Sequence, residues 1–146
     1  MMADGHAVRI TTRAERGRAA IESTGAECWI GTPDRLATLR AALEGVTIIC
    51  WLLGSAVGPP QELRALHTVR LEFFLTQAID TTVRGFVYEA RGTSTPADAL
   101  LEGERTVRTL TQRNSIPVEF LSAEPDDVAA WLKDATGAIA SLLGCG

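Results

Sequence analysis

The residues of this chain that could do chemistry are few, and they gather where apolar runs stop. Arg13 follows Ile10-Thr11-Thr12, and a guanidinium in that place offers planar, paired donors of the kind that grip a phosphate. Thr32 follows Trp29-Ile30-Gly31, and Gly54-Ser55 follows Trp51-Leu52-Leu53. Gly54 and Ser55 either let a ligand come close to the backbone or simply turn the chain. Glu89 and Arg91 flank Ala90 at a fourth such end, as a general base in a polar pair or as an ordinary crevice-edge ion pair. A fifth end is Ser122-Ala123-Glu124.

The remaining reactive side chains read as structural. His6 and His67 have no Cys, Asp or His at ligand spacing, and the cysteines, Cys28, Cys50 and Cys145, share none either, so no metal site is expected. Cys28 and Cys50 lie in apolar runs, where cysteine behaves as a small hydrophobe, and the run around Cys50 is expected to push its thiol up; a cysteine nucleophile is not expected. Cys145, between two glycines, is expected to be exposed and oxidisable. Trp29, Trp51 and Trp131 are assigned to core packing.

The elements that must position these residues alternate. Apolar, β-branched runs at 7–12, 27–30, 47–53, 84–89 and 116–121 are separated by helix-length segments. Parallel neighbours need crossovers of that length, so the pattern predicts an α/β fold with a mainly parallel sheet of about five strands and helices on both faces. Thr32-Pro33-Asp34 and Thr95-Pro96-Ala97-Asp98 each predict a helix start, with a threonine cap and a proline in the first turn. After Pro59-Pro60 one stripe of Leu63, Leu66, Val69, Phe73 and Phe74 predicts a helix reaching about Ile79 and packed through Leu66, Val69 and Phe73. A last helix from about Pro125 places Val128, Leu132, Ala135, Ile139 and Leu142 on one face and ends at Gly144.

Composition narrows the function. With 146 residues, 46% of them hydrophobic and 22% charged, one folded domain with its own core is the expectation. A net charge of −4 and scattered arginines give no basic footprint, so nucleic acid is not an expected partner. The apolar stretch 46–57 is broken by Gly54-Ser55 and too short for a membrane span, so no membrane partner is expected. The first residues lack the basic flank and apolar core of a signal peptide, and the odd cysteines suit a reducing cytoplasm.

Taken in order, Asp4-Gly5-His6-Ala7-Val8-Arg9-Ile10-Thr11-Thr12-Arg13, Gly25-Ala26-Glu27, Gly31-Thr32-Pro33-Asp34-Arg35-Leu36, Leu43-Glu44-Gly45-Val46-Thr47 and Val83-Arg84-Gly85-Phe86-Val87-Tyr88-Glu89 resemble the atypical branch of the NAD(P)-binding short-chain dehydrogenase and NAD-dependent epimerase superfamily. The segments resemble that family's second to fifth strands and the helices between them. The resemblance implies a Rossmann-like fold and a dinucleotide, with Thr12, Arg13, Thr32, Gly54 and Ser55 lining the site. Arg13 would take the 2′-phosphate of NADP where an acid would favour NAD.

Two departures accompany the resemblance. No G-x-G-x-x-G occurs in the sequence, and the family's first strand with its glycine turn would fall before Met1, so the reading is of a domain over 1–146 that is incomplete at its start, with cofactor affinity reduced accordingly. The family's catalytic Tyr-x-x-x-Lys is also missing: the single tyrosine is Tyr88 and the single lysine Lys133. The expectation is therefore NADP binding without dehydrogenase turnover and with no catalytic residue assigned. The alternative is a non-catalytic association module, a homodimer in its simplest form, built on unpaired strand edges.

Overall fold

A computed structural model describes residues 5–144; Asp4 and Cys145 lie outside them. Two compact units divide the chain between Glu44 and Gly45.

In the first unit, β1 (Arg9–Thr12) and β2 (Glu27–Ile30) pair in parallel, Arg9 opposite Glu27 and Thr12 opposite Ile30. The crossover carries α1 (Arg18–Glu22), and α2 (Leu36–Arg40) follows β2. Leu39, Ala42 and Leu43 are buried. Arg9 ties the unit together: it pairs with Glu27 at 2.9 Å, donates to the carbonyl of Ala42 at 2.6 Å, and lies over the ring of Trp29. The predicted cap at Thr32 does not form. Thr32 and Arg35 bridge a turn, and α2 begins at Leu36 with no side-chain cap, because the Thr32 hydroxyl accepts the Asp34 N–H (3.3 Å) inside that turn.

In the second unit, β3 (Ile48–Trp51), β4 (Gly85–Glu89) and β5 (Val118–Leu121) form one parallel sheet in the order β3-β4-β5. Every residue of β4 is buried, as a central parallel strand requires. One face packs against α3 (Pro60–His67), α4 (Val69–Ala78) and α5 (Ala97–Arg113), with Trp51 against Phe74 and Tyr88 against His67. The other face packs against α6 (Val128–Leu142), where Val87 and Leu121 meet Ala135, Ala138 and Ile139.

Three further expectations are corrected here. The helix after Pro59-Pro60 is interrupted at Thr68, whose backbone leaves the helical region (φ −123°, ψ −98°). The break resets the phase of the helix: Leu66, Leu71, Phe74, Leu75 and Ala78 are buried, while Val69 is 66% and Phe73 58% exposed. On α6, Ala135 and Ile139 are buried as expected but Val128 and Leu132 are exposed, because Trp131 turns inward instead. Thr95 does not cap α5, whose capping residue is Pro96; its hydroxyl donates to the carbonyl of Gly54 at 3.1 Å.

Candidate functional site

In a parallel sheet the groups that meet a ligand lie beyond the carboxyl ends of the strands. In the first unit those ends bring Thr12, Arg13 and Thr32 together. The carbonyl of Thr12 accepts the N–H of Gly31, joining the end of β1 to the residue before Thr32. Gly17 sits where a Cβ would overlap the Thr12 hydroxyl, so the lack of a side chain there lets the chain after β1 fold back over it. The Arg13 guanidinium, 64% exposed, holds the Asp34 carboxylate through one nitrogen at 3.2 Å. Asp34, read from sequence only as a first-turn acid, is thus part of this cluster.

In the second unit Gly54 and Ser55 follow β3. Ser55 is exposed and Gly54 buried. The close approach that glycine permits is made by the chain itself: a Cβ on Gly54 would overlap the carbonyl of Arg91, and one on Gly92 would overlap the carbonyl of Gly54. Glu89, at the end of β4, locks this contact. It is 5% exposed; one oxygen accepts the Gly54 N–H at 2.8 Å and the other the indole N–H of Trp131 at 2.7 Å. A carboxylate with both oxygens so engaged is a structural acceptor rather than a general base. Arg91 does not pair with it; it reaches Glu124 instead. The shallow groove beside them, about 270 Å³, is lined by residues that include Arg91, Gly92, Thr95, Leu100 and Glu104.

Below the strand ends lies a sealed polar pair. His67 and Tyr88 are both fully buried. The Tyr88 hydroxyl is 2.7 Å from His67 Nδ1, and Nε2 is 3.2 Å from the carbonyl of Leu53. A carbonyl only accepts, so we assign the proton to Nε2 and let Tyr88 donate to Nδ1. Burial pushes the imidazole below its usual range and the phenol above its own. Gly103 on α5 makes the space: a Cβ there would overlap the Tyr88 hydroxyl and come within 2.8 Å of the His67 carbonyl. Tyr88 therefore reaches no solvent-borne substrate. Cys50 is open at its surface, yet desolvation by the protein around it pushes its thiol up to about 11. His6 is exposed. Among the described residues no three His, Cys, Asp or Glu side chains gather as metal ligands, and no helix is long and apolar enough to cross a membrane.

Compared with solved structures, the chain is similar to gox2253, with a TM-score of 0.64 and 20% identity over 82% of this chain and 44% of that one. It is similar also to the triphenylmethane reductase of Citrobacter sp., whose structures include a complex with NADP(H), with a TM-score of 0.58 and 23% identity over 77% of this chain and 38% of the reductase. The fold is Rossmann-like. This chain spans less than half the length of these solved proteins. No family model matches it, and no curated protein does so by sequence.

Proposed function

We propose that the chain binds a dinucleotide of the nicotinamide class, NADP in preference to NAD, without dehydrogenase turnover of its own. The observation that carries this reading is Arg13 at the carboxyl end of β1, exposed and beside Thr12 and Thr32. Its residues fit a 2′-phosphate. Asp34 occupies one nitrogen of the guanidinium, and the five N–H donors of an arginine leave another edge for a bidentate contact. The likeness of the fold to a reductase solved with NADP(H) supports the class of ligand.

The part of the reading that leaves out turnover is supported by the surroundings of Tyr88 and Glu89. Tyr88 is sealed against His67, and the carboxylate of Glu89 is taken up by Gly54 and Trp131. Such groups hold the scaffold rather than deliver a proton to a bound carbonyl. Titration of the protein with NADP and NAD, followed by tryptophan fluorescence, tests the binding; NADP binds more tightly, and Arg13→Ala removes the difference. Equal or tighter binding of NAD overturns the assignment of Arg13. Oxidation of NADPH by the chain with a carbonyl substrate overturns the second half of the reading.

A further inference from the structure

The groove of about 270 Å³ in the second unit runs from the carboxyl end of β4 along about two turns of α5. Ala97, Leu100, Leu101 and Glu104 stand at spacings that share one helix face and form its wall, with Arg91 and Gly92 at the strand end. The wall is apolar down to Glu104. Leu101 is 49% exposed there, and the Glu104 side chain 28%. A concave surface that is mostly apolar, with a few polar groups placed in it, is the usual setting for a small ligand.

The charges decide which ligand. Arg91 is already served: one nitrogen of its guanidinium pairs with Glu124 and the other donates to the carbonyl of Ser122 at 3.4 Å. Glu104 is not. Among the described residues its carboxylate makes no hydrogen bond; Arg108 stands 3.8 Å away, too far for one, with its guanidinium over the ring of Phe120. Glu89, at the same end of β4, is met by two neutral donors, the N–H groups of Gly54 and Trp131. After burial, it is the charges of Glu104 and Glu89 that disfavour ionisation of the Tyr88 hydroxyl, so the two carboxylates act on one neighbourhood. A half-buried carboxylate with no donor, where negative charge is in surplus, suits an ammonium group.

We propose that this groove binds a small organic ammonium ion with an apolar body, the ammonium donating to the carboxylate of Glu104 and the body lying on Ala97, Leu100 and Leu101. An organic acid of the same size suits it less, because its carboxylate meets Glu104 as a like charge and finds Arg91 already paired with Glu124. The site takes no residue from the dinucleotide reading and is tested apart from it.

The test uses the whole isotope-labelled chain, with phenethylamine as the probe and hydrocinnamate and phenethyl alcohol as its anionic and neutral counterparts. In amide-correlation spectra the amine should shift the resonances of Gly92, Leu101 and Glu104 saturably, with a midpoint of about 1 mM, as so small a ligand allows. The two counterparts should bind at least about tenfold more weakly, as should the amine to Glu104→Gln, since each lacks the charged pair. Glu104 makes no hydrogen bond within the fold, so this variant should keep its far-ultraviolet circular dichroism; Leu101→Ser, on the exposed side of the wall, should weaken the amine several-fold and gives a second variant. Absence of a saturable shift, or shifts confined to residues outside the groove, overturns the proposal. So does an equal response to hydrocinnamate or phenethyl alcohol, or a response to the amine that survives both substitutions.

Discussion

The indole N–H of Trp131 and one oxygen of Glu89 meet at 2.7 Å, although 42 residues separate them in the chain. The other oxygen takes the N–H of Gly54, so one buried carboxylate ties the end of β3, the end of β4 and the first half of α6 together. Removing it leaves two donors without an acceptor. Glu89→Ala should cost about 2–4 kcal/mol, the loss of two bonds to a charged acceptor with both donors left in the interior. Glu89→Gln should recover only part of this, because an amide accepts through one oxygen and turns a donor toward the other N–H. Urea denaturation followed by tryptophan fluorescence measures both.

Glycines divide by what surrounds them. A methyl group at Gly103 meets Tyr88 and His67, and one at Gly92 meets the backbone of Gly54; Gly103→Ala and Gly92→Ala should each destabilise by about 1–3 kcal/mol or prevent folding. At Gly137, within α6, a methyl group would find no atom within 4 Å, and Gly137→Ala should stabilise by about 0.5–1 kcal/mol. Thermal melts of the three variants give the comparison.

The neighbouring phenylalanines of α4 should behave oppositely. Phe74 is 4% exposed against Trp51, whereas Phe73 is 58% exposed. Phe74→Ala should cost about 3–5 kcal/mol, and Phe73→Ser should stay within about 0.5 kcal/mol of the parent. Chemical denaturation of the two variants side by side reads the difference.

Acid should weaken the fold through His67. Burial lowers its folded-state pKa, so between that value and the unfolded value of about 6.5 the unfolded chain binds the extra proton. Stability contributed by the neutral ring is present above that unfolded value and is lost as pH falls below it. Denaturation midpoints measured from pH 7 down to about 5 should fall, and His67→Gln should flatten the slope in that window even though it lowers the midpoint at neutral pH.

Asp34 should oppose the phosphate that Arg13 is assigned to hold. Its carboxylate lies beside the guanidinium, and at an exposed site the repulsion it exerts on a nearby phosphate is about 1 kcal/mol. Asp34→Asn should therefore tighten NADP about fivefold relative to NAD, read by calorimetry. Weaker NADP binding would instead make Asp34 the residue that orients Arg13.

The strands are legible from sequence because their β-branched runs stand between helix-length segments, and β2 occupies the expected 27–30 span. The misplaced parts have local causes. Phe73 continues the stripe of Leu63 and Leu66 only if the helix is unbroken, and no residue type near Thr68 announces the break. Thr32 and Thr95 precede proline as capping threonines do, yet their hydroxyls find better partners, in a turn for Thr32 and in the Gly54 carbonyl for Thr95. Glu89 is visible in the sequence as a strand-end carboxylate; its acceptor role is not, since Trp131 and Gly54 come to it only through the folded sheet. Arg13 and Thr32 need no such knowledge, because parallel neighbours align their ends.

The central claim rests on one guanidinium and one phosphate, and adenosine 2′-monophosphate isolates that contact from the rest of a dinucleotide. In amide-correlation spectra of the isotope-labelled protein, its addition should shift the resonances of Thr12, Arg13 and Thr32, adenosine should not, and Arg13→Ala should abolish the response. Equal shifts with adenosine, or a response to the 2′-phosphate that survives Arg13→Ala, would contradict the account.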